Sequence, residues 1–209
     1  MLLLYCMTRN DPPATPMTGV GGARLLHSDE QSVACWYSET QPAQSSAQAD
    51  VLAFHGVVNA FFQRGAVVPF RFPTTLPDAA ALQTWLAANA SEVTRELERL
   101  GPMVQMEIHL ANPAARASGS GREYLESRRD AERSLADRAR LARDAVADLA
   151  AEWRQRETRD GLRCYALVPR GREQEFVARI GALAGGATSR VTGPWPPAEF
   201  LNAALTRPS

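Results

Sequence analysis

The sequence contains no lysine, and all 23 of its basic residues are arginine. This absence excludes chemistry that needs an ε-amino group, such as Schiff-base formation or the lysine of a phosphate-binding P-loop. A GC-rich genome that encodes arginine in place of lysine explains the bias more simply than a demand for bidentate ion pairs. The composition therefore argues against several ATP-dependent functions.

Cysteine is scarce, and its spacing matches no known site. Cys6, Cys35 and Cys164 form neither a CxxC pair nor a Cys/His ligand pattern. An odd number of cysteines argues against a disulfide framework, and their spacing argues against zinc. We therefore expect a protein of the reducing cytoplasm with no metal and no other cofactor.

Long runs of one charge or of apolar residues are also missing. The 23 basic and 23 acidic residues give a formal net charge of zero, which is atypical of nucleic-acid binders and basic membrane patches. The chain has no run of 18 apolar residues, so we expect no transmembrane segment. Since 45% of the residues are hydrophobic, the chain can bury a core, and its partner is expected to be a protein or a small molecule.

The first half of the chain predicts strands and helices in alternation. Residues 2–7 and 33–39 are β-prone, and a helix with apolar residues at helical spacing begins at Asp50 and stops at Gly65. The next apolar run contains Pro69, which cannot donate to a sheet ladder and predicts an edge or a bulge. Residues 75–78 resemble a capping box, which opens a helix that ends at Gly101.

The second half predicts a strand at 104–111, a long helix from a capping box at 120–123 to about Arg156, a strand at 162–169, a helix at 173–184 and a strand at 188–192. An apolar seam runs along the long helix, and it predicts either packing in the core or a groove for a partner helix. The seam consists of Leu135, Ala139, Ala142, Val146, Leu149 and Trp153.

This order of elements predicts an α+β protein with two successive α+β domains. We place the N-terminal domain at residues 1–101, the C-terminal domain at 102–192 and a C-terminal tail at 193–209, which packs on the domains.

Few residues are candidates for chemistry, because no nucleophile elbow, P-loop, HExxH motif or dinucleotide fingerprint occurs. His55 is a possible general base near Arg71. Arg71 lies between two phenylalanines, so it needs either a buried acceptor or a ligand or partner. An alternative function is therefore a small cytoplasmic enzyme or an anionic-ligand-binding protein with His55, Arg71 and Glu107 in an inter-domain cleft.

Four stretches of the sequence together resemble one family. AFHGVVNAFFQRGAVVPFRFPTTL contains a histidine helix followed by a Val-Pro-x-Arg-Phe strand, and LERLGPMVQMEIHL follows the next helix. SGSGREYLESRR resembles a Gly-x-x-Tyr-Leu helix start, and VTGPWPPAEF resembles a C-terminal Thr-Gly-Pro-Trp-Pro-Pro signature. This set, in this order, resembles the GvpL/GvpF family of gas vesicle accessory proteins, from which Pro73, Ala198 and Glu199 depart.

The resemblance implies a cytoplasmic, gas-vesicle-associated assembly factor without catalytic residues or cofactors. Its expected partners are the small hydrophobic shell subunit GvpA and other gas vesicle accessory proteins, which it would bind during nucleation and growth of the vesicle. The implied fold has two α+β domains, of which the second is a modified ferredoxin-like unit with a long helical extension, and a C-terminal tail.

The segment GPWPPAEF, residues 193–200, has two main interpretations. Its prolines restrict the unfolded chain, so an extended strap that buries Trp195 and Phe200 could clamp the domains. The same segment could instead contact a partner, or serve as a polyproline ligand for an aromatic groove. The candidate residues for partner binding or inter-domain contact are Pro69, Arg71, Phe72, Trp195, Pro196, Pro197 and Phe200.

Overall fold

The computed structural model describes residues 1–9, 17–40, 48–112, 121–183 and 189–206. The chain forms two compact units, of which unit 1 is Met1–Pro102 with Trp195–Ser209 and unit 2 is Met103–Pro194. Two predictions lie wholly or partly outside the described residues, namely the capping box at 120–123 and the start of SGSGREYLESRR. No helix in the described ranges is long and apolar enough to span a membrane.

Unit 1 contains a four-stranded antiparallel sheet with strand order β2-β3-β1-β4. Its strands are β1 (Leu2–Arg9), β2 (Leu26–Glu30), β3 (Val33–Glu39) and β4 (Val68–Leu76). Its helices are α1 (Gln48–Phe62) and α2 (Ala79–Leu100), and Val20–Gly22 forms a short 3-10 helix.

The two helices of unit 1 cover opposite faces of the sheet. Cys6 pairs with both Trp36 and Pro69, so these three residues share one face, where the Trp36 ring lies 4.7 Å from that of Phe61 on α1. Phe70, the next residue of β4, points to the other face. There its ring lies 5.7 Å from that of Trp85 on α2. Both faces of the sheet are therefore buried, which explains the continuous apolar run of β1.

Polar groups inside unit 1 are paired. The Tyr5 hydroxyl lies 2.9 Å from the Ser38 hydroxyl and accepts from the backbone N–H of Val20 at 2.8 Å. The Trp36 indole N–H donates to the Thr8 hydroxyl at 2.9 Å. These bonds offset the cost of burying the polar groups and fix the aromatic side chains in place.

The structure of unit 1 differs from the prediction in two places. β2 was not predicted, because its sequence LHSDE is polar and only partly buried, and its strand conformation comes from pairing with β3. The helix after β4 does not begin at Thr75, which belongs to the strand. Its N-cap is Asp78, whose carboxylate accepts from the backbone N–H of Ala81 at 2.8 Å.

Unit 2 contains a second four-stranded sheet, with strand order β6-β7-β5-β8. Its strands are β5 (Met103–Ala111), β6 (Glu152–Thr158), β7 (Gly161–Pro169) and β8 (Ser189–Trp195). Its helices are α3 (Gly121–Ala145) and α4 (Glu173–Leu183). The element order β-α-β-β-α-β is that of a ferredoxin-like unit.

The long helix of unit 2 is shorter than predicted, because α3 ends at Ala145 and not near Arg156. The seam continues past the helix because Val146 and Leu149, in the turn that follows, are also buried. Trp153 belongs to β6, whose sequence EWRQRET lacks the alternation of a half-buried strand. The seam residues on α3, namely Leu135, Ala139 and Ala142, are buried, as expected for core packing.

The three cysteines are free and buried. Burial raises the pKa of the Cys164 thiol to about 12 and the pKa values of Cys6 and Cys35 well above their ordinary range.

Since the thiolate is the reactive form, the three cysteines of the native protein are expected to resist an aromatic disulfide reagent at mildly alkaline pH. All three thiols should react at once in guanidinium chloride. Rapid labelling of the native protein would show that these strands open.

Candidate partner-binding site

The family-like Val-Pro-x-Arg-Phe segment forms a bulge on an edge strand. β4 lies at the edge of the unit 1 sheet, and Cys6 pairs with Pro69 while Leu4 pairs with Thr74. Residues 70–73 of β4 therefore stand opposite Tyr5 alone. The Thr74 hydroxyl donates to the Arg71 carbonyl at 2.5 Å and closes the bulge. The prediction that Pro69 marks an edge or a bulge is confirmed, because it lies at both.

The bulge presents Arg71 to solvent. Arg71 is exposed, and its guanidinium makes no ion pair or hydrogen bond with the described residues. Phe72 is half-buried, with its ring 5.2 Å from that of Phe54 on α1. Pro69 is buried in the sheet. The sequence left two alternatives for Arg71, a buried acceptor within the fold or a ligand or partner. The described residues contain no buried acceptor for it, so its side chain is available to a ligand or partner.

The C-terminal tail is anchored on unit 1 by apolar side chains. Phe200 is 1% exposed, and Leu201 and Leu205 are also buried. The Phe200 carbonyl accepts from Arg99 Nη2 at 2.8 Å. The same guanidinium makes two bonds, at 2.9 and 3.0 Å, to the carboxylate of the buried Glu96. The Glu96 carboxylate, the Arg99 guanidinium and the Phe200 carbonyl therefore form one charge-assisted hydrogen-bond network, which holds the tail in place.

Trp195 differs from the rest of the tail because 45% of it is exposed. The expectation that it is buried together with Phe200 is wrong. Pro197 and Phe200 occupy the buried positions, Pro196 is half-buried, and Trp195 precedes them at the end of β8. The fully buried side chains of the tail therefore begin with Pro197, the last residue of the Gly-Pro-Trp-Pro-Pro motif, and continue with Phe200, Leu201 and Leu205.

The glycine of that motif is required by its surroundings. Gly193 has a φ of +130°, a region that L side chains rarely adopt. A Cβ atom there would lie 2.9 Å from the Gln105 carbonyl oxygen and 2.8 Å from Met106 Sδ on β5. The backbone of β8 can approach β5 this closely only with glycine.

The residues of the alternative enzyme site lie in different surroundings. His55 is exposed on α1, with Phe54 edge-on at 5.7 Å, and Arg71 is on the bulge. Glu107, on β5 of unit 2, accepts from Arg163 Nη1 at 2.9 Å, so its carboxylate is already paired within its own sheet. Among the described residues, no group of three or more His, Cys, Asp or Glu side chains could hold a metal ion.

The fold is that of solved gas vesicle proteins. The chain is similar to the crystal structure of GvpF from Microcystis aeruginosa, with a TM-score of 0.77 and 16% identity over 95% of this chain and 98% of that one. It is also similar to GvpF from Anabaena sp. PCC7120, with a TM-score of 0.78 and 15% identity over 95% of this chain and 94% of that one. No curated protein matches the sequence at a significant level.

The family follows from the sequence. The family model for gas vesicle synthesis protein GvpL/GvpF matches residues 1–202, and the chain therefore belongs to the GvpL/GvpF family. The mixed α/β fold with two four-stranded sheets agrees with that assignment.

Sequence reasoning missed the residues that hold the tail. Glu96, Arg99, Leu201 and Leu205 received no role in the sequence analysis. One signal was present, because Glu96 precedes Leu97 on the buried stripe of α2, where a carboxylate needs a partner. Its partner Arg99 lies only three residues further along α2, but the bond from Arg99 to the Phe200 carbonyl could not be inferred, since Phe200 is distant in sequence.

Proposed function

We propose that this gas vesicle family member binds the hydrophobic shell subunit of the vesicle, or another accessory protein, during nucleation and growth. The observation that carries the proposal is Trp195, a large aromatic side chain that is 45% exposed. Before it, Gly193 packs against β5, and after it, Pro197 and Phe200 are buried.

A half-exposed tryptophan next to buried residues of the tail is suited to bind an apolar partner. Little conformational entropy is lost when a preorganised side chain is covered, and tryptophan is among the residues that dominate interface energies. Covering the exposed part of the ring, about 100 Å², contributes about 2.5 kcal/mol. The bulge adds a second contact of different chemistry, because Arg71 offers an exposed cation beside the half-buried Phe72.

The chemistry of the shell subunit explains why such a contact is useful. A small, very hydrophobic subunit exposes apolar surface until it joins the growing wall, and such surface aggregates in water. A protein that covers part of this surface in the cytoplasm keeps the subunit available for assembly. Nothing in this function requires catalysis, and a binding role is sufficient for the residues described above.

The replacement Trp195→Ala tests the proposal. We expect it to cost at most about 3 kcal/mol of stability, because about half of the side chain is buried. Co-purification of the co-expressed shell subunit should fall by about tenfold or more, since a central interface tryptophan contributes 2 kcal/mol or more. Leu52→Ala is the matched control, because Leu52 is 63% exposed on α1 and should leave both quantities unchanged.

Two results would contradict the proposed function. The first is that the wild-type chain binds neither the shell subunit nor any other vesicle component. The second is that the Trp195→Ala variant melts as the wild type does and binds the shell subunit equally well, which would assign the contact to another surface.

A further inference from the structure

Arg71 differs from many other arginines of this chain because no carboxylate of the described residues balances its charge. Elsewhere, Arg9 pairs with Glu98 and Arg163 pairs with Glu107, each at 2.9 Å. Arg71 is exposed, and no ion pair or hydrogen bond joins its guanidinium to the part of the chain that the structure describes. Its five N–H donors are therefore available to an acceptor on another molecule.

The bulge that carries Arg71 is connected to the core of unit 1. The Thr74 hydroxyl donates to the Arg71 carbonyl at 2.5 Å. The Phe72 ring lies 5.2 Å from the Phe54 ring, which in turn stacks on the buried Tyr5 ring at 5.1 Å. A partner that binds here meets a largely preformed backbone, so little further ordering of the bulge opposes the contact.

The residues that follow the arginine are apolar. Phe72 is half-buried and Pro73 is exposed. Arg71 is also the only charged residue of β4, whose sequence is VPFRFPTTL. The bulge therefore combines one cation with apolar surface, and an apolar partner surface can cover both.

Covering this cation has a cost that depends on the partner. A guanidinium that loses its water under an apolar surface, with no anion to replace it, is strongly destabilised. A carboxylate removes this cost, because its two oxygens match the planar fork of arginine and the pair strengthens as water is excluded. A hydrophobic partner that covers the bulge must therefore supply a carboxylate for Arg71.

A ligand rich in phosphate matches the bulge less well. Sites for nucleic acids combine several cations, because each phosphate contact neutralises a charge. The bulge segment contributes one, and the whole chain has a formal net charge of zero. One cation followed by apolar residues matches one carboxylate within an apolar segment.

From these features we propose that Arg71 binds a single aspartate or glutamate within an apolar segment of the shell subunit, and that this ion pair selects the orientation in which the subunit docks. The inference rests on the function proposed above and names the group that the partner supplies. Apolar contacts are non-directional, whereas a bidentate arginine–carboxylate pair has a defined geometry. Trp195 contributes mainly affinity, and Arg71 contributes specificity by rejecting surfaces that lack a carboxylate.

Charge reversal of Arg71 is the first test. When the full chain is co-expressed with the shell subunit, Arg71→Glu should reduce co-purification about tenfold. Its melting temperature should match the wild type because the side chain is exposed. Arg71→Lys, which keeps the charge but not the planar fork, should recover part of the loss. Arg129→Glu, the same change at an exposed position of α3, is the matched control and should bind as the wild type does.

Replacement of each aspartate and glutamate of the shell subunit by arginine, one at a time, identifies the carboxylate. We expect one of these replacements to weaken binding to the wild-type chain. The same replacement should restore binding to Arg71→Glu, to within about threefold of the original level. Added salt should weaken the binding of the wild-type chain more than that of Arg71→Ala, which has lost the ion pair.

Three results would overturn the proposal. The first is that Arg71→Glu binds the shell subunit as the wild type does. The second is that Arg71→Glu loses binding but no single replacement in the subunit restores it. The third is that the wild-type chain does not bind the shell subunit at all. In the first two cases the subunit still binds the wild-type chain, so the proposed function stands and only the role of Arg71 is lost.

Discussion

Phe200→Ala is expected to lower the free energy of unfolding of unit 1 by about 3–5 kcal/mol, which is the range for a fully buried phenylalanine. Phe200 is 1% exposed, and Pro197 before it and Leu205 after it in the sequence are also buried. The replacement removes the largest apolar side chain that follows Trp195 in the tail. Urea unfolding, followed by tryptophan fluorescence, measures the loss.

The Trp195→Ala variant is the control for this experiment. Both positions carry large aromatic side chains in the same short segment, but only Phe200 is fully buried. A larger loss of stability at position 200 than at position 195, together with a loss of binding only at position 195, supports the assignment of Phe200 as the anchor of the tail and Trp195 as the contact. If both replacements cost the same several kcal/mol, Trp195 would be a structural clamp.

Gly161→Ala is expected to destabilise unit 2 by about 3 kcal/mol or more, because two costs add at one position. Gly161 has a φ of +149°, which strains any L side chain. In addition, a Cβ atom would lie 2.0 Å from the Leu110 carbonyl oxygen and 3.0 Å from Ala111 Cα. Both atoms belong to the backbone of β5, so relief of the clash requires the β5–β7 ladder to move.

Gly171→Ala separates the two costs. Gly171 also has a positive φ, of +93°, but a Cβ atom there meets nothing within 4 Å. We expect it to cost about 1–2 kcal/mol, from backbone strain alone. The difference between the two variants, measured by urea unfolding, reports the steric clash. Equal losses would mean that β5 does not approach Gly161 as closely as the structure shows.

The apolar periodicity of the sequence and the positions of proline and glycine predicted most of the helices and strands. The spacing around Phe54 gave α1, and Gly101 correctly ended α2. The alternation in residues 104–111 gave β5, and Pro69 gave the edge and the bulge of β4. These predictions succeeded because each pattern is a local consequence of which face is buried.

The errors arose where tertiary contacts override local patterns. β2 and β6 are polar edge strands whose conformation depends on a neighbouring strand. The length of α3 was overestimated because its apolar spacing continues past the end of the helix. Val146 and Leu149, which lie in the following turn, are also buried.

The candidate site could be found from the sequence, but the exposure of its members could not. The Gly-Pro-Trp-Pro-Pro motif and the Arg71 segment were both identified by their resemblance to the family. Whether Trp195 or Phe200 fills the buried position depends on Arg99 and on residues distant in sequence. A local pattern contains no such information.

Site-specific photo-crosslinking tests the central claim most directly. A benzoylphenylalanine in place of Trp195 keeps a large aromatic group at the proposed contact, and the same group in place of Leu52, which is more exposed, serves as the control. In cells that produce the shell subunit, we predict a covalent product between the two proteins from position 195 and little from position 52. Equal products from both positions, or products only within the chain itself at position 195, would contradict the assignment of Trp195 as the contact.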